Sequence, residues 1–312
     1  MNCPFRVWCK PRFVNIKPEK SMSGDSLHGV GLITALILCL VMLNSRLGAE
    51  VIFREDFESG KLGQQWERLS DDLQRADIES RAANVRSGKY SFRLTSFAVA
   101  GEEKVMHGYA YKESDSWIQT WFLPGYDRVY CRWYAKFAED FDQGRQMHWC
   151  GLRGCRSDNP RSGFGRAGER PDGFDRFTTS VEPAFTDGNE PPGQMCFYTY
   201  WPDMKQSGDG FYWGTRFYAD PSFFIQRGRW YCFEVMVRLN QPGEPDGEQA
   251  LWVDGKQIIH NTGIRWRDTD LLKLNLFKFG LYIHYCTHDC TYWVDDLTIS
   301  TDYVGPDQEQ RK

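Results

Sequence analysis

The 312-residue chain has no long segment with apolar residues at helical spacing, which excludes a helical bundle. A Pro/Ser-rich linker is missing from its middle and no internal repeat is evident, so one large domain is favoured over two small ones. A Ser/His/Asp signature and a phosphate-cradling glycine loop are also missing. Positive charge is scarce, since 38 Lys/Arg face 42 Asp/Glu for a net charge of −4. Residues 1–49 hold six of those cations against two acids, so the remainder stands at −8 and nucleic acid is not an expected partner.

Those first 49 residues read as an export signal. Arg6, Lys10, Arg12, Lys17 and Lys20 precede an apolar run from Val30 to Met42, followed by Leu47-Gly48-Ala49. The run is short for a membrane span, and an uncleaved anchor is the alternative to cleavage. The expected organisation is a signal peptide or anchor over 1–49, a folded domain over 50–304 and a tail over 305–312, in a secreted or periplasmic protein. Seven cysteines then lie in an oxidising setting: Cys131, Cys150, Cys155, Cys196, Cys232, Cys286 and Cys290. The close pairs Cys150/Cys155 and Cys286/Cys290 are disulfide candidates, and an odd count leaves at least one thiol unpaired. His284, Cys286, His288 and Cys290 have the chemistry of zinc ligands, but their spacing is not a standard zinc pattern, and export favours a disulfide. No cofactor or metal is expected.

What the chain does have, from Glu50 to Ser300, is two-residue alternation, the mark of an all-β protein. Val129, Cys131, Trp133, Ala135 and Phe137 form a core face, and Tyr130, Arg132, Tyr134 and Lys136 fill the opposite one. That second face reads either as the floor of a sugar-binding groove or as plain surface. Trp230 to Leu239 is another long strand, and Asp254-Gly255 makes the tight turn of a hairpin from Leu251 to Ile258. Long strands with irregular connections predict two packed sheets in a jelly roll. The stretch Cys196 to Met204 carries Tyr198 and Tyr200 at strand spacing, so both phenols project from one face roughly 6.5–7 Å apart. Two phenols side by side suit the acid and base halves of an elimination, and they also suit simple packing.

The opening Phe53 to Phe57, the Trp230 to Leu239 strand, the Leu-Trp-Val-Asp-Gly hairpin and the closing Tyr292 to Ser300 together resemble a concanavalin A-like sandwich of the polysaccharide lyase family 14 type. The resemblance implies β-elimination on a uronate polysaccharide in a concave cleft. It also implies a Tyr-x-Tyr pair, a lysine in a Lys-Leu-Pro-Gly-Leu-like segment and a Ser-x-Arg strand. Tyr198 and Tyr200 fit the pair. His148-Trp-Cys-Gly-Leu152 resembles the second motif with His148 in the lysine position, and Ser180-Val-Glu182 the third with Glu182 in place of arginine.

Elimination removes a proton beside a carboxylate, and the enolate that develops needs positive charge or hydrogen-bond donors. Tyr198, Tyr200 and His148 are therefore the candidate catalytic residues, a histidine's ordinary pKa near 6.5 suiting either base or imidazolium. Ser180, Glu182, Arg132, Tyr134 and Arg176 are the candidate substrate contacts. An acidic polysaccharide is the expected partner, and no stable protein partner is implied. Two other classes compete. A glycoside hydrolase is suggested by Glu244-Pro-Asp-Gly-Glu248, although Pro245 and Gly247 make that string a turn. A non-catalytic carbohydrate-binding module would need only exposed aromatic platforms.

Overall fold

The computed structural model describes residues 49–68, 72–98, 115–144, 146–161, 163–184, 190–284, 286 and 288–307. The proposed export signal lies outside these except for Ala49, as do residues 308–312 of the tail. Two antiparallel sheets make up the domain. The first, here the back sheet, runs β15 (Lys256–Ile264), β14 (Gly247–Val253), β13 (Trp230–Arg238), β6 (Arg128–Phe137), β17 (Cys290–Ser300), β4 (Ser91–Ser96), β3 (Ala76–Glu79), with β1 (Val51–Glu55) also on β17. The second, the cleft sheet, runs β11 (Thr215–Tyr218), β10 (Gly193–Tyr200), β9 (Arg176–Ala184), β8 (Cys150–Arg156), β16 (Leu272–Ile283), β5 (Asp115–Tyr126), β2 (Trp66–Arg68). Two short strands join it, β12 (Phe224–Ile225) on β10 and β7 (Met147–His148) on β16. This is the expected all-β jelly-roll sandwich.

The core lies between the sheets and follows the alternation. Val129, Cys131, Trp133, Ala135 and Phe137 of β6 face Phe277, Phe279, Leu281 and Ile283 of β16, all buried. Trp133 is its centre, stacked on Phe233 at 5.7 Å and edge-on to Trp149 at 5.8 Å. Aromatic pairs of this kind add to the burial of their area. The Asp254-Gly255 turn has φ of 49° and 78°, the positive values that its sequence demands. The ends of the domain meet: Phe53 pairs with Ile299 and Glu55 with Leu297.

The outer face of β6 corrects one expectation. Arg132 and Tyr134 belong to the back sheet, with the whole core between them and the outer face of the cleft sheet. Tyr134 is fully buried, its hydroxyl accepts the amide N–H of Asp307 at 2.8 Å, and Arg86 lies 3.4 Å from its ring. Arg132 pairs with Asp307 at 3.6 Å, and Glu234 on the neighbouring strand accepts the amides of Val304 and Gly305. The segment after β17 thus straps this face shut. Alternation assigned these residues to the right face, but it carries no information about what covers that face.

The cysteines bring a second correction. All seven are thiols and all are buried. Cys150 and Cys155 pair with Val181 and Arg176 at opposite ends of the β8–β9 ladder. Five residues of strand separate them by roughly 16 Å, far beyond the reach of a disulfide. Cys286 and Cys290 do approach, with their thiols hydrogen-bonded to each other.

Candidate active site

The outer face of the cleft sheet is built in rows by register. One row reads Arg216, Tyr198, Ser180, Gly151, Lys278, Gln119, Glu67, each residue directly opposite the next across seven strands. Directly paired residues share a face, so these side chains all point the same way. A second row holds Tyr200, Thr178, Arg153, Leu276 and Trp121. A third places His148 opposite Tyr282, and Tyr282 opposite Asp115. Over these rows lies an open cleft of about 860 Å³ that reaches His148, Ser180, Tyr198, Tyr200, Arg176 and Lys278.

His148 reaches this face through a break in register. Between the pairs Lys278–Gly151 and Tyr282–His148, β16 advances four residues and its partner only three. Trp149 and Cys150 consequently both enter the core, and His148 emerges on the cleft side. Its Nδ1 lies 2.8 Å from Glu182 Oε1, and its Nε2 lies 3.1 Å from His284 Nε2. Glu182 is 2% exposed. An ionised carboxylate only accepts, so Nδ1 of His148 carries the hydrogen toward Glu182. With His148 neutral, its Nε2 is then the acceptor and His284 the donor. His284 is kept neutral because burial, then His148 and Arg216, push its pKa down to about 3. Glu182, expected to touch substrate, stands beneath His148 and orients it.

The two phenols sit edge to face, with ring centroids 5.7 Å apart. Tyr198 is 7% exposed and its ring packs on His148 at 5.0 Å. Gly214 crosses this ring so closely that a Cβ there would come 2.7 Å from Tyr198 Cζ. Burial, and then Tyr200, hold the Tyr198 phenol well above its ordinary range. The hydrogen between the phenols therefore stays on Tyr198, and the oxygen of Tyr200, which is the more exposed of the two, accepts it. The amide of Gly168 points at the same oxygen from 3.5 Å.

The cleft lining contains Arg153, Arg166, Arg176, Arg216 and Lys278 against a single carboxylate, Asp115. Arg176 is largely committed elsewhere: it bonds Asp175 and the carbonyls of Arg166 and Glu169. Arg166 is likewise tied to Glu169 and Asp175. Arg216 is exposed at the rim, 5.3 Å from the Tyr198 ring. Glu248 of the hydrolase-like string lies on the back sheet, paired to Arg238 and His260. The zinc alternative also separates in space: His284 faces His148, whereas His288 and Cys290 face the carbonyls of Asp140 and Asp142.

Cleft residues not expected as catalytic or substrate contacts include Lys278, Arg153, Arg216, His284 and Asp115. A signal for Lys278 was present, because Phe277, Phe279, Leu281 and Ile283 alternate with Lys278, Gly280, Tyr282 and His284. A lysine on the polar face of so apolar a strand is unusual enough to single out.

Comparison with known proteins agrees with this architecture. A family model described as Polysaccharide lyase 14 matches residues 192–285, a stretch with Tyr198, Tyr200, Lys278 and His284. Among solved structures, the marine PL-14 alginate lyase from Aplysia kurodai is similar over 81% of this chain and 100% of that one, with a TM-score of 0.60 at 15% identity. An alginate lyase from Chlorella virus is similar over 81% and 100%, with a TM-score of 0.57 at 14% identity. A search of curated proteins finds no match. The chain thus has a jelly-roll sandwich fold similar to that of these lyases. Within that class, it resembles polysaccharide lyase family 14.

Proposed function

We propose that the protein is a polysaccharide lyase that cleaves an acidic, uronate-containing polysaccharide by β-elimination, and that it acts outside the cytoplasm after export. The observation that carries this reading is the meeting of a carboxylate-oriented histidine and a hydrogen-bonded phenol pair in one open, net-positive cleft. The family match and the alginate lyase fold of the similar structures support it. The basic leader and its apolar run support export.

In this reading the His148–His284 pair takes the proton beside the uronate carboxylate. The charge comes to rest on His148, because Glu182 lies against it and His284 is held neutral. The electrons of the broken C–H bond form the ring double bond, and the glycosidic C–O bond breaks. Tyr200 gives its proton to the departing oxygen, and the Tyr198 hydroxyl stabilises the oxyanion left on Tyr200. Ser180, in the same row as Tyr198, is a hydrogen-bond donor to the sugar.

The test is incubation of the purified protein with a panel of uronate polysaccharides while following the ultraviolet absorbance of the unsaturated sugar. Release of unsaturated product from at least one polymer is expected. Binding without any unsaturated product would replace this reading with that of a carbohydrate-binding relative.

A further inference from the structure

We propose that Lys278, with Arg153 one row away, is the seat for the substrate carboxylate at the reacting sugar, taking the place of the cations that the family resemblance led one to expect on β7 and β9. This assignment rests on the lyase reading for its catalytic part, but the anion seat itself follows from the geometry.

Lys278 is a cation without a counter-ion. No carboxylate lies within ion-pairing distance of its ammonium and no hydrogen bond ties it down among the described residues, although it borders the cleft. Burial pushes its pKa down, opposed first by Asp115. Asp115 does not neutralise it directly: the two form no ion pair, and Oδ1 of Asp115 is itself buried without a partner. Arg153 repeats the pattern. Its guanidinium lies 4.2 Å from the Phe164 ring, and its Nη1 is buried with no hydrogen-bond acceptor. An unpaired buried cation is costly, and the cost is offset when a ligand anion completes the site.

Position argues for the reacting sugar. Gly151 separates Lys278 from Ser180 in the row and has no side chain, so the floor between them is open. The lysine lies along its own strand over Gly280, where a Cβ would meet Cε at 2.8 Å and Nζ at 3.1 Å. That direction leads toward the row of His148, Tyr282 and Asp115. A carboxylate on Lys278 would therefore lie beside the histidine that takes the neighbouring proton. Arg166 and Arg176 cannot serve equally, since each is already bonded to acidic residues.

The experiment compares wild type with Lys278→Met, Lys278→Ala, Arg153→Met and Gly280→Ala, the last crowding the ammonium from outside without removing it. Two readouts are taken: turnover on the polyuronate cleaved by wild type, and affinity for a uronate oligosaccharide against its carboxyl-reduced, neutral counterpart. Lys278→Met should lower kcat by ~10²–10³-fold, the usual loss for one enolate-stabilising donor. It should also abolish the preference for the acidic oligosaccharide at an unchanged melting temperature, and an added alkylammonium should restore part of the turnover of Lys278→Ala. Arg153→Met should raise KM more than it lowers kcat. Full turnover with undiminished acid preference in Lys278→Met overturns the proposal while the lyase reading stands. Wild type that makes no unsaturated product ends the lyase reading, and the acid preference and its loss in Lys278→Met still decide the seat.

Discussion

Lys136 and Lys278 occupy equivalent situations on opposite sheets. Each is on the outer face of a long central strand whose inner face is core, and burial pushes each ammonium toward neutrality. Lys136 is fully engaged: it donates to the Ala83 carbonyl and, at 2.9 Å, to Asn84 Oδ1, and it lies 4.8 Å from the Trp293 ring. Lys278 has no such partners and opens onto a cleft. The same contrast separates Tyr134, whose hydroxyl is used to hold the strap after β17, from Tyr200, whose oxygen collects donors at the cleft. Alternation produces both faces by one rule. Their chemistry diverges because one is covered by its own chain and the other is left for a ligand.

The strongest test of this contrast is a pair of tyrosine substitutions. Tyr200→Phe should cost ~10²–10⁴-fold in turnover with the melting temperature nearly unchanged, since only proton transfer is lost. Tyr134→Phe should leave turnover intact and lower stability by ~1 kcal/mol, the usual net value of one hydrogen bond. Equal loss of turnover in both variants would break the comparison. His148→Ala belongs with Tyr200→Phe and should show a loss of similar size.

A smaller effect distinguishes the covered face by pH. Burial lifts Glu234 to about 7 and Asp295 to about 7. For Glu234, the amides of Val304 and Gly305 and the charge of Arg132 oppose that rise, and Asp302 adds to it. Because the folded value exceeds the ordinary one near 4.5, the stabilising contribution is complete below that value and is lost as pH rises through 7. Glu234→Gln should flatten the fall in stability between pH 5 and 8 by up to ~3 kcal/mol. Melting curves across that range check it, and parallel curves for variant and wild type would refute the assignment.

The smallest expected effect concerns the lysines themselves. Lys136→Met should destabilise by ~1–2 kcal/mol through the loss of its hydrogen bonds. Lys278→Met should be neutral or slightly stabilising, because an unpaired, half-buried charge is replaced by an apolar side chain of similar length. Chemical denaturation of the two variants measures the difference, and a larger loss for Lys278→Met would show that its ammonium supports the fold.

Much of the architecture was legible in the sequence. Period-two alternation named the core face of β6, Asp254-Gly255 marked the hairpin, and the aromatic segments at the two ends, expected in one sandwich, pair directly. Tyr198 and Tyr200 were placed on a common face for the same reason. Covering was not legible: that Asp307 closes over Tyr134 depends on a contact across 173 positions, and Arg86 comes to the same ring from the segment before β4. Nor was the place of His148, since strict alternation groups it with Cys150 and Leu152, both of which are core residues. Glu182 looked like a loss of charge complementarity because its partner, 34 positions away, could not be seen from its own strand.

The break in register beside His148 gives the site an arithmetical vulnerability. Which side of a sheet a residue occupies is a matter of odd and even counting, and the one-residue mismatch between β16 and the β7–β8 segment changes that count once. Strict pairing there, with β16 and its partner advancing in step, would place His148 opposite Leu281 and turn the imidazole into the hydrophobic interior, away from Glu182 and the phenols. Every other strand could stay in place. The presence of His148 in the cleft thus depends on one pairing irregularity rather than on the identity of any cleft residue.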